Sequence, residues 1–238
     1  MEDISYKKFA PLAILYGCVV SMLYLFAYWG AFEINIMEFI GLQDFAKLSL
    51  YPLIGSIMFL LIGVALTKLL TFKELPPGGG SGSIFGQFGL KYWRIIIALH
   101  LVLIVLIIVF VPIQSKWFVI AFLISWLSVP LSHIEYFIST IPNPQIRATV
   151  LFLLLLLGGF AFAQGKIEAE LIKTKGARQI VDVDRSNLKL KSNDQNPVSY
   201  LGYMAGYFVL YESATQNIVF IKGSNSNKMF FHENEKRS

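Results

Sequence analysis

The sequence predicts a membrane all-α bundle of about five transmembrane helices, followed by a small soluble β-rich domain of SH3- or Sm-like barrel type. Two observations carry this prediction: long blocks with almost no charged residues recur through the first 165 residues, and the residue pattern changes after Gly165. Of the 238 residues, 55% are hydrophobic and only 15% are charged, whereas soluble domains carry about a quarter charged residues. Such a shortfall is typical of chains that lie in lipid, which solvates ions poorly.

Five blocks come close to the roughly 20 apolar residues that a helix needs to cross the hydrocarbon of a bilayer. They cover residues 11–32, 50–70, 95–111, 117–138 and 148–164. Tyr and Trp residues stand at most block ends, as expected at the headgroup level of a bilayer. We therefore predict a multi-pass protein of the bacterial inner membrane, with residues 1–175 as its transmembrane domain.

The fourth block leaves the topology open. It is cleanly apolar only from Trp117 to Leu131, so it either crosses the membrane fully or re-enters on the same side. Basic residues before the first block place the N-terminus inside, but basic residues also follow the fifth block. The side of the membrane that holds the tail is thus undecided, as is the origin of the Gly-rich segment 78–83, which is either native or engineered.

The tail, residues 176–238, shows the alternation of apolar and polar residues that indicates half-buried strands. The predicted strands cover 179–183, 188–191, 198–203, 207–211 and 218–221. Residues 166–172 are expected to extend the last helix, and the end from His232 is expected to fray. A domain this small has a thin core. It would gain stability by packing on the helices or on other subunits.

Two stretches resemble a group of uncharacterised bacterial small polytopic membrane proteins that carry a C-terminal β-rich domain. The first is Pro142-Asn143-Pro144 with Arg147, followed by an apolar run to Lys166 and Ala169. The second comprises 200–203, 206–211 and 218–221. The resemblance covers about the last hundred residues and implies a membrane bundle with a β-rich tail. It implies no activity, because neither stretch is a catalytic signature.

No residue pattern indicates an enzyme, a cofactor or a metal site. The single cysteine and the three histidines are isolated, and no Asp lies in any apolar block. Ser125, Ser128 and Ser132 lie near one helical face beside His133, but their hydroxyls are better explained by bonds to helical carbonyls. His100 is the only candidate base in the middle of a block. Together with Glu135, these residues are the candidates for a polar lining.

Small residues at helical spacing are candidates for close helix packing. In lipid, such packing drives helix association in place of the hydrophobic effect. Contacts within one chain and contacts between subunits explain them equally well. The candidate residues are Gly17, Ser21, Gly55, Gly63, Gly159, Ala161, Ala163 and Gly165.

Two functional hypotheses follow from the sequence. The first is a non-enzymatic integral membrane sensor or scaffold, whose C-terminal β domain mediates partner binding or oligomerisation, in a setting of envelope stress or phage defence. The alternative is an oligomeric channel lined by neutral polar residues. The expected partners are membrane lipid, further copies of the chain, and a protein at the C-terminal domain. Nucleic acid is excluded, since a net charge of +5 comes without a dense basic run.

Overall fold

The computed structural model describes residues 6–39, 41, 84–111, 113–193, 196–223 and 228–234. The predicted block 50–70 and the Gly-rich segment 78–83 lie outside these residues. The helices are α1 (Tyr6–Gly30), α2 (Ile84–Phe110), α3 (Ile113–Ser125), α4 (Ser128–Leu131), α5 (Glu135–Thr140) and α6 (Pro144–Lys175). A short 3-10 turn (Ile36–Glu38) follows α1.

Helix α6 is the central element, because both α1 and α3 pack along it. The Asn143 side chain caps its N-terminus, accepting a hydrogen bond from the Ile146 N–H at 3.1 Å. Arg147 is buried and reaches back, so that its Nη1 donates to the carbonyls of Ile141 (2.7 Å) and Pro142 (3.2 Å). These bonds explain the Pro-Asn-Pro and Arg pattern of the sequence as a closed turn that starts the helix. The other end stops at Gly176, whose φ of +82° is left-handed.

The predicted membrane all-α bundle is wrong, and so is the multi-pass membrane localisation. The fold is mixed α/β, and within the described residues one helix is long and apolar enough to cross a membrane, the stretch Ile146–Lys175 of α6. One such helix is weak evidence for a membrane protein, because the central helix of a water-soluble protein also meets this description. The other apolar helices are shorter: Leu15–Gly30, Arg94–Phe110 and Lys116–Leu131.

Two features of the fold explain why the sequence predicted more membrane-spanning helices than the structure contains within its described residues. The predicted fourth span, 117–138, is not one helix, because the chain turns at Trp126–Leu127 and again before Glu135. The last turns of α1 lie against the protein's own sheet, where Leu25 and Trp29 are each only 1% exposed. Apolar residues that meet protein look the same in sequence as apolar residues that meet lipid.

The tail forms one antiparallel sheet of five strands in the order β4-β3-β2-β1-β5. The strands are β1 (Gln179–Val181), β2 (Val198–Met204), β3 (Tyr207–Glu212), β4 (Asn217–Lys222) and β5 (Phe231–Glu233). Four of the predicted strands coincide with β1 to β4 to within two residues, but 188–191 is not a strand. The end expected to fray instead forms β5 and pairs with β1.

Each face of the sheet carries its own apolar cluster, as alternation along the strands requires. One face packs Leu201, Met204 and Val209 against the end of α1 and against Ile172 of α6. The other face gathers Val181, Val198 and Leu210 under the loop that follows β1. The first cluster joins the sheet to the helices in a single core, so the orientation of the sheet relative to α1 and α6 is set by burial.

Glu212 is a buried carboxylate at the end of β3, and it should contribute to stability in a pH-dependent way. It accepts hydrogen bonds from the Thr215 hydroxyl and from the Lys191 backbone N–H (2.6 Å), which lower its pKa from the ordinary value of 4.5. Because the folded-state pKa is lowered, this contribution is complete above about pH 4.5 and is lost as the pH falls through the lowered value.

We expect Glu212→Gln to lower the free energy of unfolding by about 1–3 kcal/mol at neutral pH, because one of the two acceptors becomes a donor. The variant should also lose less stability than the native chain on acidification. Denaturant titrations at neutral and acidic pH measure both effects. Equal acid sensitivity of the two proteins would show that Glu212 is not the responsible group.

Candidate functional site

Four contacting aromatic rings form the most distinctive exposed feature of the sheet. Tyr200, Tyr203, Phe208 and Phe231 make up what we call the aromatic surface. Ring centroids lie 4.9 Å apart for Tyr200 and Phe231, and 5.0 Å apart for Tyr203 and Phe208. Tyr203 is 46% exposed and Phe231 is 37% exposed, so the cluster is open to solvent on one side.

Curvature of the sheet brings these rings together. Phe208 on β3 and Phe231 on β5 are three strands apart in the sheet order, yet their ring centroids are 6.3 Å apart. Three strand spacings in a flat sheet would be about 14 Å. The sheet therefore curls toward this face. A register shift in β2 between Tyr200 and Gly202 adds a bend, as bulges do.

The hydroxyl of Tyr200 stays protonated over the ordinary pH range. Its partial burial, together with the nearby Tyr203, raises the pKa above 10.0. A protonated phenol on an apolar ring is both a hydrogen-bond donor and a contact surface, which is the combination that protein interfaces favour. The aromatic surface can thus bind an apolar side chain of a partner through its rings and donate a hydrogen bond from a hydroxyl to a neighbouring polar group of that partner.

A second feature is a polar cleft of about 730 Å³ where α6 meets β1 and β5. Its charged lining includes Lys173, Lys175, Asp182, Asp184 and Glu233. These charges are of both signs, so the cleft does not select the charge of a ligand.

Two of the acidic residues that line the cleft are paired with basic side chains. Arg178 lies 3.9 Å from Glu233, and Arg185 lies 3.5 Å from Asp182. Across the described residues, no group of three His, Cys, Asp or Glu side chains is placed to hold a metal ion. We therefore base the functional argument on the aromatic surface and not on the cleft.

The serine candidates for a polar lining are satisfied locally. Ser125 Oγ donates to the Ala121 carbonyl and Ser132 Oγ donates to the Val129 carbonyl, each at 2.7 Å. Ser128 is 2% exposed. His133 and Glu135 are exposed, and His133 Nδ1 lies 2.9 Å from the Val129 carbonyl. The structure thus buries the three serines and pairs the hydroxyls of Ser125 and Ser132 with carbonyls of their own helical segments.

His100 joins two helices. Its Nε2 lies 2.6 Å from the Leu123 carbonyl, so the ring donates a hydrogen bond from α2 to α3. Ile104, one turn further along α2, is 8% exposed and continues the same contact stripe. His100 therefore holds α2 in register against α3.

The small residues of α6 face two different helices of the same chain. A Cβ atom added at Gly159 would lie 2.9 Å from the Ala121 Cβ of α3. One added at Gly165 would lie 2.5 Å from the Tyr24 carbonyl oxygen of α1. Ala161 and Ala163 are fully buried. On α1, Ser21 is fully buried and Gly17 is partly exposed, whereas Gly55 and Gly63 lie outside the described residues.

Sequence reasoning missed the aromatic surface as a site. The four rings fall on segments that alternation assigns to strands, except for Phe231 near the end that was expected to fray. Their convergence depends on the curl of the sheet and on the return of β5 beside β1, neither of which periodicity encodes. The density of Tyr and Phe between 200 and 211 was the available signal.

Comparisons with protein-family models, with curated proteins and with solved structures gave no match.

Proposed function

We propose that this chain is a non-enzymatic scaffold that holds a partner protein at the aromatic surface of its sheet. The proposal keeps the scaffold part of the sequence-based hypothesis and leaves out the multi-pass bundle. The observation that carries it is the exposure of contacting Tyr and Phe rings on a sheet whose opposite face is built into the core. Exposed apolar patches with polar rims mark interaction sites, and Tyr is enriched in them.

Rigidity supports this role. The sheet is held by the Trp29 ring, which lies over Gly202 of β2 at a distance where an added Cβ would be in ordinary van der Waals contact with it, 3.4 Å from Trp29 Cζ2. The Tyr28 hydroxyl donates to the Leu201 carbonyl at 3.1 Å. A preorganised surface loses little conformational entropy on binding. The helices thereby fix the position at which a bound partner is held.

A photo-crosslinking residue in place of Tyr203 tests the proposal in cells that express the full chain. We expect a discrete adduct with one partner protein at this position. The same crosslinker in place of Ala214, an exposed residue of the β3–β4 turn, is the matched control and should give none.

Phe231→Ala should lower the adduct yield at position 203, because it removes one wall of the aromatic surface; loss of a buried aromatic anchor weakens protein binding by roughly tenfold or more. Equal adducts at 203 and 214, or an adduct that Phe231→Ala leaves unchanged, would contradict the proposal. Circular dichroism of the variant confirms that the sheet is still folded.

A further inference from the structure

The outer edge of β4 is a second interaction surface, separate from the aromatic surface. We propose that β4 pairs with β4 of a second copy of this chain, which joins two sheets across a two-fold axis. Within the described residues β4 is the last strand on its side of the sheet, and β3 is the element that runs along it. An edge strand presents a row of backbone groups that can accept a further strand.

The alternation of backbone hydrogen bonds between β3 and β4 shows which N–H and C=O groups of β4 face away from β3. The Gly223 N–H donates to the Gly206 carbonyl at 2.7 Å, which continues the β3–β4 ladder by one pair. Bonding in an antiparallel ladder alternates, so the odd-numbered residues of β4 face β3. The N–H and C=O groups of Ile218 and Phe220 therefore point away from β3, toward the position of an added strand.

The two edges of the sheet differ in the features that prevent strand addition. Strand β5 has three residues and ends in Glu233, which is paired with Arg178. Strand β4 has six residues in unbroken register with β3, and its residues 217–221 include no charge and no proline. Short length, charge and bulges are the usual protection of an edge, and β4 lacks them until Lys222.

The side chains favour a second copy over an unrelated strand. Strand β4 places Ile218 and Phe220 on one face, where the Phe220 ring stacks on Phe39 with centroids 5.1 Å apart, and Val219 and Ile221 on the other. A strand added at the edge therefore continues two apolar faces. Strand β4 of a second copy does so, because both of its own faces are apolar. A two-fold axis perpendicular to the sheet keeps each face continuous, so Val219 meets Val219 or Phe220 meets Phe220 of the second copy.

Phe220→Pro and Phe220→Ala form a matched pair of variants. Both remove the ring, but only proline removes an outward N–H, which leaves the β3–β4 ladder intact. Sedimentation of the purified full chain in mild detergent should show dimers for the native protein and for Phe220→Ala. For Phe220→Pro we expect the dimer dissociation constant to rise at least a hundredfold. A monomeric native chain at tens of micromolar, or equal dimerisation of both variants, would overturn the proposal.

Cysteine crosslinking keeps the test decisive if Phe220→Pro does not fold. Val219→Cys and Phe220→Cys are each made with Cys18→Ser. Each variant places a thiol at the residue that would face its own counterpart in one of the two possible pairings of β4 with β4. Opposed residues in antiparallel strands have Cα atoms about 4.5–5.5 Å apart, which a disulfide can span. One of the two variants should form an intermolecular disulfide on mild oxidation, and Ala214→Cys should not. Absence of a crosslink in both would overturn the proposal, whereas the Tyr203 adduct tests the aromatic surface independently.

Discussion

Gly165→Ala should lower the free energy of unfolding by about 2 kcal/mol, although alanine is the better helix former. The added Cβ would lie 2.5 Å from the Tyr24 carbonyl oxygen and 3.0 Å from both the Ala27 Cβ and the Tyr28 backbone nitrogen. Two of these atoms belong to the backbone of α1, so the clash is relieved only if α1 and α6 move apart. Overpacking of this kind costs about 1–3 kcal/mol or more, against a gain in helix propensity of about 0.5–1 kcal/mol.

Gly158→Ala is the matched control on the same helix. The atom nearest to the added Cβ would be Leu23 Cδ1 at 3.2 Å, which is the end of a side chain that can rotate away. This variant should be neutral or slightly more stable than the native chain. Thermal unfolding followed by circular dichroism measures both, and a loss of 2 kcal/mol lowers Tm by about 4–8 °C in a chain of this length. If Gly165→Ala unfolds at the temperature of Gly158→Ala, the close contact of α1 and α6 is wrong.

Asn234→Ala should cost about 2–4 kcal/mol, the largest effect expected of a single polar side chain here. Asn234 is 4% exposed, and its Nδ2 donates to the carbonyls of Lys175 (2.9 Å) and Ala177 (3.0 Å). The Lys175 carbonyl is at the C-terminal end of α6, where carbonyls have no partner within the helix. Alanine leaves both acceptors without these bonds, and each buried unsatisfied group costs about 1–3 kcal/mol.

Two further variants test whether the loss of stability comes from the two hydrogen bonds that Asn234 donates. Asn234→Asp keeps the shape but offers no donor to the carbonyls, so it should be at least as harmful as alanine at neutral pH. Asn217→Ala removes an exposed amide and should change the free energy of unfolding by less than about 0.5 kcal/mol. Denaturant titrations compare the three. An Asn234→Ala chain as stable as Asn217→Ala would mean that β5 does not close the junction between α6 and the sheet.

Local patterns predicted the strands well and the helix environment poorly. Strands β1 to β4 start at or within one residue of their predicted positions, because alternation and turn residues act over a few neighbours. The multi-pass bundle was wrong because hydropathy measures how apolar a segment is and does not identify what covers it. Leu25 and Trp29 are covered by Leu201 and Met204 of the protein's own sheet, which lie more than 170 residues further along the chain.

The candidate sites show the same division. The small residues of α6 were recognised from their spacing, but only the packed helices show that Gly159 contacts α3 and that Gly165 contacts α1. The serines were expected to bond to helical carbonyls, and Ser125 and Ser132 do so. The aromatic surface was not predicted, because its rings come from three strands that meet through curvature of the sheet.

Local residue patterns are enough to locate the alternation of strands and turns, the continuation of α6 past its apolar block, and the glycines at which helices approach. Those properties depend on backbone preferences and on residues a few positions apart. Three contacts become visible only in the folded chain: the end of α1 meets the sheet, β5 returns to β1, and Asn234 binds the carbonyl at the end of α6. Such contacts join residues far apart in the chain, and their free energy depends on the shape of both surfaces, which no local pattern records.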